Sequence, residues 1–180
     1  RVVSIANSTE LGTVYSLEEI RELADHAHAN GMLLHLDGAR LANAAVSLGV
    51  DVGELGTGVG VDVLTFGGTK NGALGVEAVV VLNEDLVAAM PYIRKQSMQL
   101  ASKMRYVSAQ FVALLTDDLW RRNAEHANAM ARRLADGVEG VPGVTVTDTV
   151  AANAVFAILP PEVTRELQDE FTFYVWNPGT

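Results

Sequence analysis

Four short apolar runs, at 2–6, 32–36, 62–66 and 76–82, limit what this chain can fold into. Helical segments separate the first three, while only a glycine-rich turn separates the last two. Strands that alternate with amphipathic helices imply a parallel sheet with right-handed crossovers. The turn, Phe66-Gly67-Gly68-Thr69-Lys70-Asn71-Gly72-Ala73-Leu74-Gly75, has no room for a crossover helix. The fourth strand is therefore expected to run antiparallel to the third. The expected class is α/β with a mostly parallel sheet.

Local signals place the helices between those runs. Ser16-Leu17-Glu18-Glu19 forms a capping box. Leu17, Ile20, Leu23, Ala24 and Ala27 then recur at helical spacing until Gly31 closes the segment. A second helix spans about 41–48 and stops at Gly49. The stretch 51–60 reads as a loop with space for one helical turn. Asn83-Glu84-Asp85 caps a helix beginning near Leu86, and the chain is expected to bend around Pro91. A long helical segment is predicted over 93–115, with Met98, Ala101, Met104, Ser108, Phe111 and Leu115 as its buried stripe. Thr116-Asp117-Asp118 breaks it and caps another helix over 119–138. Gly137, Gly140, Pro142 and Gly143 mark a change of composition. Strands at 144–147, 154–159 and 171–176, with a helix opened by Pro160-Pro161, then read as a smaller α+β unit. The expected division is 1–115, part of a large α/β domain, and 116–180, a connecting helix and part of the small domain.

Composition removes several function classes. The chain has 180 residues, of which 49% are apolar, enough for a core. A formal charge of -9 argues against a general nucleic-acid or anionic-membrane surface. No apolar run approaches the roughly 20 residues of a membrane helix. There is no cysteine, hence no disulfide, thiolate metal site or cysteine nucleophile, which fits a cytoplasmic protein. His26, His28 and His126 fall in helices without a ligand cluster, so a metal site is not expected. The chain opens on Arg1-Val2-Val3, already in a strand run, and ends on Trp176-Asn177-Pro178-Gly179-Thr180, a turn signal. Both ends are expected to be cut from something longer.

Ligands of open α/β sheets bind outside the carboxyl ends of the parallel strands. Polar groups follow three strands here: Asn7 to Glu10, Asp37 to Arg40, and Gly67 to Lys70. Lys70, lying between two buried runs, reads as a buried lysine at the sheet's mouth and so as a candidate nucleophile. Singly, each residue has a bland explanation: Lys70 as a solvated turn lysine, Asp37 as a helix cap, Arg40 as a surface side chain, His35 as a hydrogen-bonded core histidine. Together they suit pyridoxal phosphate, which needs a lysine for covalent attachment and an aspartate against its ring nitrogen. An amino-acid substrate then needs an arginine for its carboxylate. Gly56-Thr57-Gly58-Val59-Gly60 precedes a strand instead of following one, and Gly67-Gly68-Thr69-Lys70 lacks the Walker spacing, so neither is read as a nucleotide loop.

His35-Leu36-Asp37-Gly38-Ala39-Arg40-Leu41 and Thr65-Phe66-Gly67-Gly68-Thr69-Lys70-Asn71-Gly72 closely resemble the threonine aldolase family. So do Thr9-Glu10-Leu11-Gly12-Thr13-Val14-Tyr15, Lys95-Gln96-Ser97 and Ser102-Lys103-Met104-Arg105. Those are pyridoxal-phosphate enzymes of the aspartate-aminotransferase (type I) fold, related to β-eliminating lyases. The resemblance implies that Lys70 is the Schiff-base lysine, that Asp37 pairs with the pyridine nitrogen and that Arg40 holds the substrate carboxylate. It implies that Arg105 reaches the cofactor phosphate, in the manner of a contact across a subunit interface. His35 is given a supporting role. It also implies 1–115 as the cofactor-binding domain, a homodimer or homotetramer, and cleavage of L-threonine or L-allo-threonine to glycine and acetaldehyde. Members of the family are considerably longer; their other segments supply a ring-stacking histidine, a phosphate-gripping loop and a second carboxylate-binding arginine. The isolated chain is therefore expected to be inactive. Two alternatives stand beside this expectation, a β-eliminating lyase of the same fold and a non-catalytic remnant.

Overall fold

The computed structural model describes residues 1–177, so Pro178, Gly179 and Thr180 of the expected terminal turn lie outside the described residues. Strand β1 (Val2–Ala6) leads through α1 (Leu17–Ala29) to β2 (Leu33–Gly38), and α2 (Leu41–Leu48) leads to β3 (Val63–Gly67). Strand β4 (Glu77–Val81) follows the lysine turn. The sheet order is β1-β2-β3-β4. β1, β2 and β3 are parallel and β4 is antiparallel to β3, as the short connection requires.

Local chemistry sets the start of α1 and the end of α2. Ser16 Oγ accepts from Glu19 N at 3.2 Å and Glu19 Oε2 accepts from Ser16 N at 2.8 Å, the reciprocal capping box that starts α1. Gly49, at φ 69°, ends α2 in the left-handed conformation that glycine adopts without steric cost. The expected loop at 51–60 holds two 3-10 turns, Val52–Leu55 and Thr57–Val59.

Successive right-handed crossovers that step the same way along a sheet put their helices on one face. Both α1 and α2 accordingly pack on the same side. Ile20, Ala24, Leu41 and Ala45 meet Leu34, Leu36, Leu64 and Phe66 there in one core. The opposite face carries Ser4, His35, Asp37, Thr65 and Val79, and Val79 is 65% exposed. Parallel sheets are ordinarily covered on both faces; among the described residues only one face is covered.

After β4 come α3 (Glu84–Val87), capped by Asn83, and α4 (Met90–Gln96). Pro91 opens α4 instead of bending a longer helix, since its missing N–H is no loss in a first turn. The long helix predicted over 93–115 is broken: Ser97 ends α4, Met98 takes φ 56°, and α5 (Met104–Leu115) starts afresh. The predicted stripe is displaced with it. Met98, Ala101, Ser108 and Leu115 are exposed, whereas Val107, Phe111 and Leu114 face inward. Phe111 stacks on Phe66 with centroids 5.3 Å apart.

Thr116-Asp117-Asp118 turns the chain with φ near 50° at both aspartates, and α6 (Leu119–Val138) follows. Neither aspartate side chain caps α6. Trp120 and Ala124 of α6 belong to the main core. Beyond it, β5 (Thr145–Val146) and β6 (Ala157–Ile158) form a small antiparallel pair, followed by α7 (Pro161–Glu170). The strand predicted over 171–176 is absent from the described residues; the chain there is irregular, with Phe156 edge-on to Trp176 at 5.6 Å. Among the described residues no helix is long and apolar enough to cross a membrane.

Candidate active site

The carboxyl ends of β1, β2 and β3 meet at one rim because the parallel register is unslipped: Ala6 pairs with Asp37, and Asp37 with Thr65. Alternation then decides which side chains reach the open face. His35 and Asp37 lie two residues apart on that face, while Leu34, Leu36 and Gly38 are buried on the other.

His35 is held on both sides. Its Nδ1 lies 2.8 Å from Ser4 Oγ on β1, and its Nε2 lies 3.0 Å from Thr65 Oγ1 on β3. With both ring nitrogens engaged, the imidazole braces three strands.

Asp37 Oδ1 accepts from Ala39 N at 2.9 Å. This turns the chain out of β2, and it partly realises the bland reading of Asp37. It does not cap α2, whose N-cap is Arg40 without a side-chain cap bond. Asp37 Oδ2 makes no hydrogen bond among the described residues. The Asp37 carbonyl accepts from Asn7 N at 3.0 Å, tying the end of β1 to the same point. Asn7, fully buried, accepts from Tyr15 N and donates to Tyr15 O, both at 3.1 Å, and so closes the loop after β1.

Lys70 sits in the 3-10 turn Thr69–Asn71, between Gly68 and Gly72. Its side chain is exposed, which corrects the expectation of a buried lysine: the strands beside it are buried, but the turn stands clear of the core. Protein packs closely against the first two glycines of the turn. A Cβ at Gly67 would lie 2.5 Å from Ala39 O, and one at Gly68 would lie 2.8 Å from Val76 Cγ1. Gly67 lets β3 close against the turn after β2, so Asp37 and Lys70 share a rim, and Gly68 lets the turn close on Val76.

Helices hold the turn from outside. Gln110 Oε1 on α5 accepts from Leu74 N at 2.9 Å and Gly75 N at 3.3 Å. Asn71 Nδ2 donates to Trp120 O at 3.0 Å, and Asn123 Nδ2 donates to Asn71 O at 2.8 Å. Sequence reasoning missed these asparagines and Gln110. Asn128 could have been found, because it continues the Trp120, Ala124, Ala131 spacing of the buried α6 face.

Arg40 is half-buried at the start of α2, and its guanidinium makes no hydrogen bond or ion pair among the described residues. The structure therefore gathers Lys70, Asp37 and Arg40 at adjoining strand ends. Arg105 is apart from them. It lies in the first turn of α5, exposed, with its guanidinium 4.7 Å from the Tyr106 ring centroid. No contact among the described residues joins it to the other three. It is about 180° around the helix from buried Leu114, so it points away from the core.

The donor set suits pyridoxal phosphate. A covalently attached ring needs a reachable amine, and Lys70 is exposed, with no hydrogen bond or ion pair to its amine among the described residues. A ring N–H needs an anionic acceptor held in place, and Asp37 has one oxygen fixed by Ala39 and the other uncommitted. His26, His28 and His126 form no metal cluster with neighbouring carboxylates among the described residues. Two surface depressions lie away from the rim, one lined by Leu17, Arg21 and Glu54, the other by Asp136, Glu139 and Thr145.

Known proteins resemble this chain in sequence and fold. The low-specificity L-threonine aldolase of Pseudomonas aeruginosa is 48% identical over 156 residues, 87% of this chain and 45% of that protein. A low-specificity L-threonine aldolase from a Pseudomonas species is 42% identical over 177 residues, 98% of this chain and 51% of that protein. The chain thus spans about half the length of these relatives. The Leishmania major threonine aldolase structure superposes with a TM-score of 0.90 at 32% identity, covering 99% of this chain and 52% of that one. The expected mostly parallel α/β architecture of the type I pyridoxal-phosphate fold is therefore what this chain has. A family model described as Beta-eliminating lyase matches residues 1–160, and the chain belongs to that family.

Proposed function

We propose that the protein containing this chain is a pyridoxal-phosphate-dependent aldehyde-lyase that cleaves β-hydroxy-α-amino acids, L-threonine and L-allo-threonine among them, to glycine and an aldehyde. The observation that carries this reading is the pairing of β2 with β3, which sets Asp37 beside Thr65 and brings the Lys70 turn to the same rim. Relatives named as low-specificity L-threonine aldolases support the substrate class.

Pyridoxal phosphate, when bound, supplies a sink for the electron pair of the broken carbon–carbon bond. The residues of this chain hold it and the substrate. Lys70 Nζ is the attachment point. Asp37 Oδ2 is the acceptor for the ring N–H, with Oδ1 fixed by Ala39 N so that the carboxylate does not rotate away. A fixed anion there would keep the ring nitrogen of a bound cofactor protonated. Arg40 offers a planar fork for the substrate carboxylate. Arg105, turned outward on α5, is assigned to the phosphate of a neighbouring subunit's cofactor. His35 braces the three strands that carry the rim.

The same reading takes 1–115 as the cofactor-bearing portion and 116–180 as the link into a smaller unit, with α6 packed on the first. It takes the assembled protein as a cytoplasmic homodimer or homotetramer; the open sheet face and exposed Val79 favour burial by more protein.

The test is Lys70→Ala in the holoenzyme. The visible absorbance of the lysine-bound cofactor and turnover of L-threonine are both expected to disappear; an unchanged band in the variant would overturn the assignment. The family description favours one second reading, β-elimination. Product analysis separates the two: glycine with an aldehyde supports cleavage, and ammonia with a keto acid supports elimination.

A further inference from the structure

Lys70 is flanked by Gly68 and Gly72, the latter at φ +104°. A short turn between two glycines has little stiffness of its own. Its orientation must come from what grips it, and the grip on the residue after the lysine comes from α6. Asn71, 7% exposed, donates from Nδ2 to Trp120 O at 3.0 Å. Its carbonyl accepts from Asn123 Nδ2 at 2.8 Å. Residues 120 and 123 are one turn apart on a helix and so share a face.

The same face continues to Asn128, fully buried. Asn43 Nδ2 donates to Asn128 Oδ1 at 2.9 Å, and Asn128 Nδ2 donates to Asn43 O at 3.0 Å. Asn43 is in α2, the helix that starts at Arg40. One helix therefore binds the lysine turn at one point and the helix carrying the arginine at another. Asn71 Oδ1 is buried without a partner, which costs about as much as the Nδ2 bond contributes. A carboxamide that adds little net stability through its one bond, on a residue whose backbone carbonyl is also held, supplies orientation.

We propose that α6 is a splint that sets Lys70 relative to Arg40, with Asn71 and Asn123 as positioning residues for the lysine. This rests on the proposed role of Lys70.

The test uses Asn123→Leu, close in volume and without a donor, together with Asn123→Ala in case the larger side chain disturbs folding. His28→Ala is the control: it removes a 2.8 Å hydrogen bond to Asp62, which precedes β3 at the end of the sheet away from Lys70. Two quantities are read. In the cofactor-free protein, amide hydrogen exchange over residues 68–75 is expected to quicken about tenfold in the Asn123 variants and to stay at the wild-type rate in the control. In the holoenzyme, the pH midpoint of the visible band is expected to move by about 0.5 unit in the Asn123 variants and not in the control. Asn123 variants that lose thermal stability but keep both wild-type exchange and wild-type midpoint would reduce the contact to ordinary packing and end the proposal. A wild-type holoenzyme without a Lys70-dependent band would instead sink the cofactor assignment, and the exchange measurement would still decide the splint.

Discussion

Replacing Gly67 with alanine tests how tightly the rim is built. A Cβ there would lie 2.5 Å from Ala39 O, 2.8 Å from Ala39 Cα and 2.9 Å from Ala39 C. Carbon atoms of this kind do not approach within 3.0 Å, so the end of β3 and the turn after β2 must part by at least 0.5 Å. The obstacle is main chain at all three contacts, and no rotamer change relieves it. Gly38 and Phe66 pair just before this point, so parting the backbones also weakens the last contact of the β2–β3 ladder. The overpacking is expected to cost about 1–3 kcal/mol and the lost ladder bond about 1 kcal/mol, together about 2–4 kcal/mol. With a urea slope of about 2 kcal/mol per molar, the midpoint falls by about 1–2 M. Gly75→Ala is the matched control, since nothing lies within 4 Å of a Cβ there. It is expected to stay within about 0.5 kcal/mol of wild type. The assay is urea unfolding of the cofactor-free protein followed by far-ultraviolet circular dichroism. Equal midpoints for the two variants would refute the argument that β3 closes directly on Ala39.

Two further outcomes follow from the interior. Burial of Asp62 favours its neutral acid, but hydrogen bonds from His28 at 2.8 Å, Leu34 N at 2.7 Å and Asn83 Nδ2 at 2.6 Å outweigh it and hold the carboxyl below its ordinary value. A lowered folded pKa gives stability that is full above the unfolded value of about 3.9 and is lost as pH falls through the folded value. Acid destabilisation below about pH 4 should therefore be shallower in Asp62→Asn, as urea midpoints measured from pH 6 downward will tell; an unaltered slope would count against it. Trp120, 3% exposed, anchors α6 in the main core, and Trp120→Ala is expected to cost about 3–5 kcal/mol in the same urea assay. A loss under about 1 kcal/mol would mean that α6 is held by its asparagines and not by its indole.

Much of the layout was legible because its causes are local. The helices at 41–48 and 119–138 were bounded by signals lying within a few residues, and the observed α2 and α6 match them. The antiparallel turn of β4 followed from connection length alone. The break between α4 and α5 was not legible, since no proline or glycine marks 97–103 and Met98 is an unusual residue for a positive φ. With the break unseen, the periodicity was carried across it, and Met98, Ala101, Ser108 and Leu115 were assigned to the wrong face.

At the site, residue types and order pointed to Lys70, Asp37 and Arg40 because the chemistry of an amine, a carboxylate and a guanidinium at strand ends is intrinsic to those residues. The sequence by itself determined the elements from β1 to β4, which groups follow the strand ends and which chemistry they suit. Only the tertiary structure decided how those groups are held: the two hydroxyls on His35, the 2.9 Å bond that fixes one oxygen of Asp37, and the grip of α6 on Asn71. It also decided that Lys70 is exposed and that glycines 67 and 68 close protein on protein. The physical reason is distance along the chain. Capping, turns and periodicity act over a few residues, whereas Asn71 and Asn123 become neighbours only after the sheet and its helices have assembled.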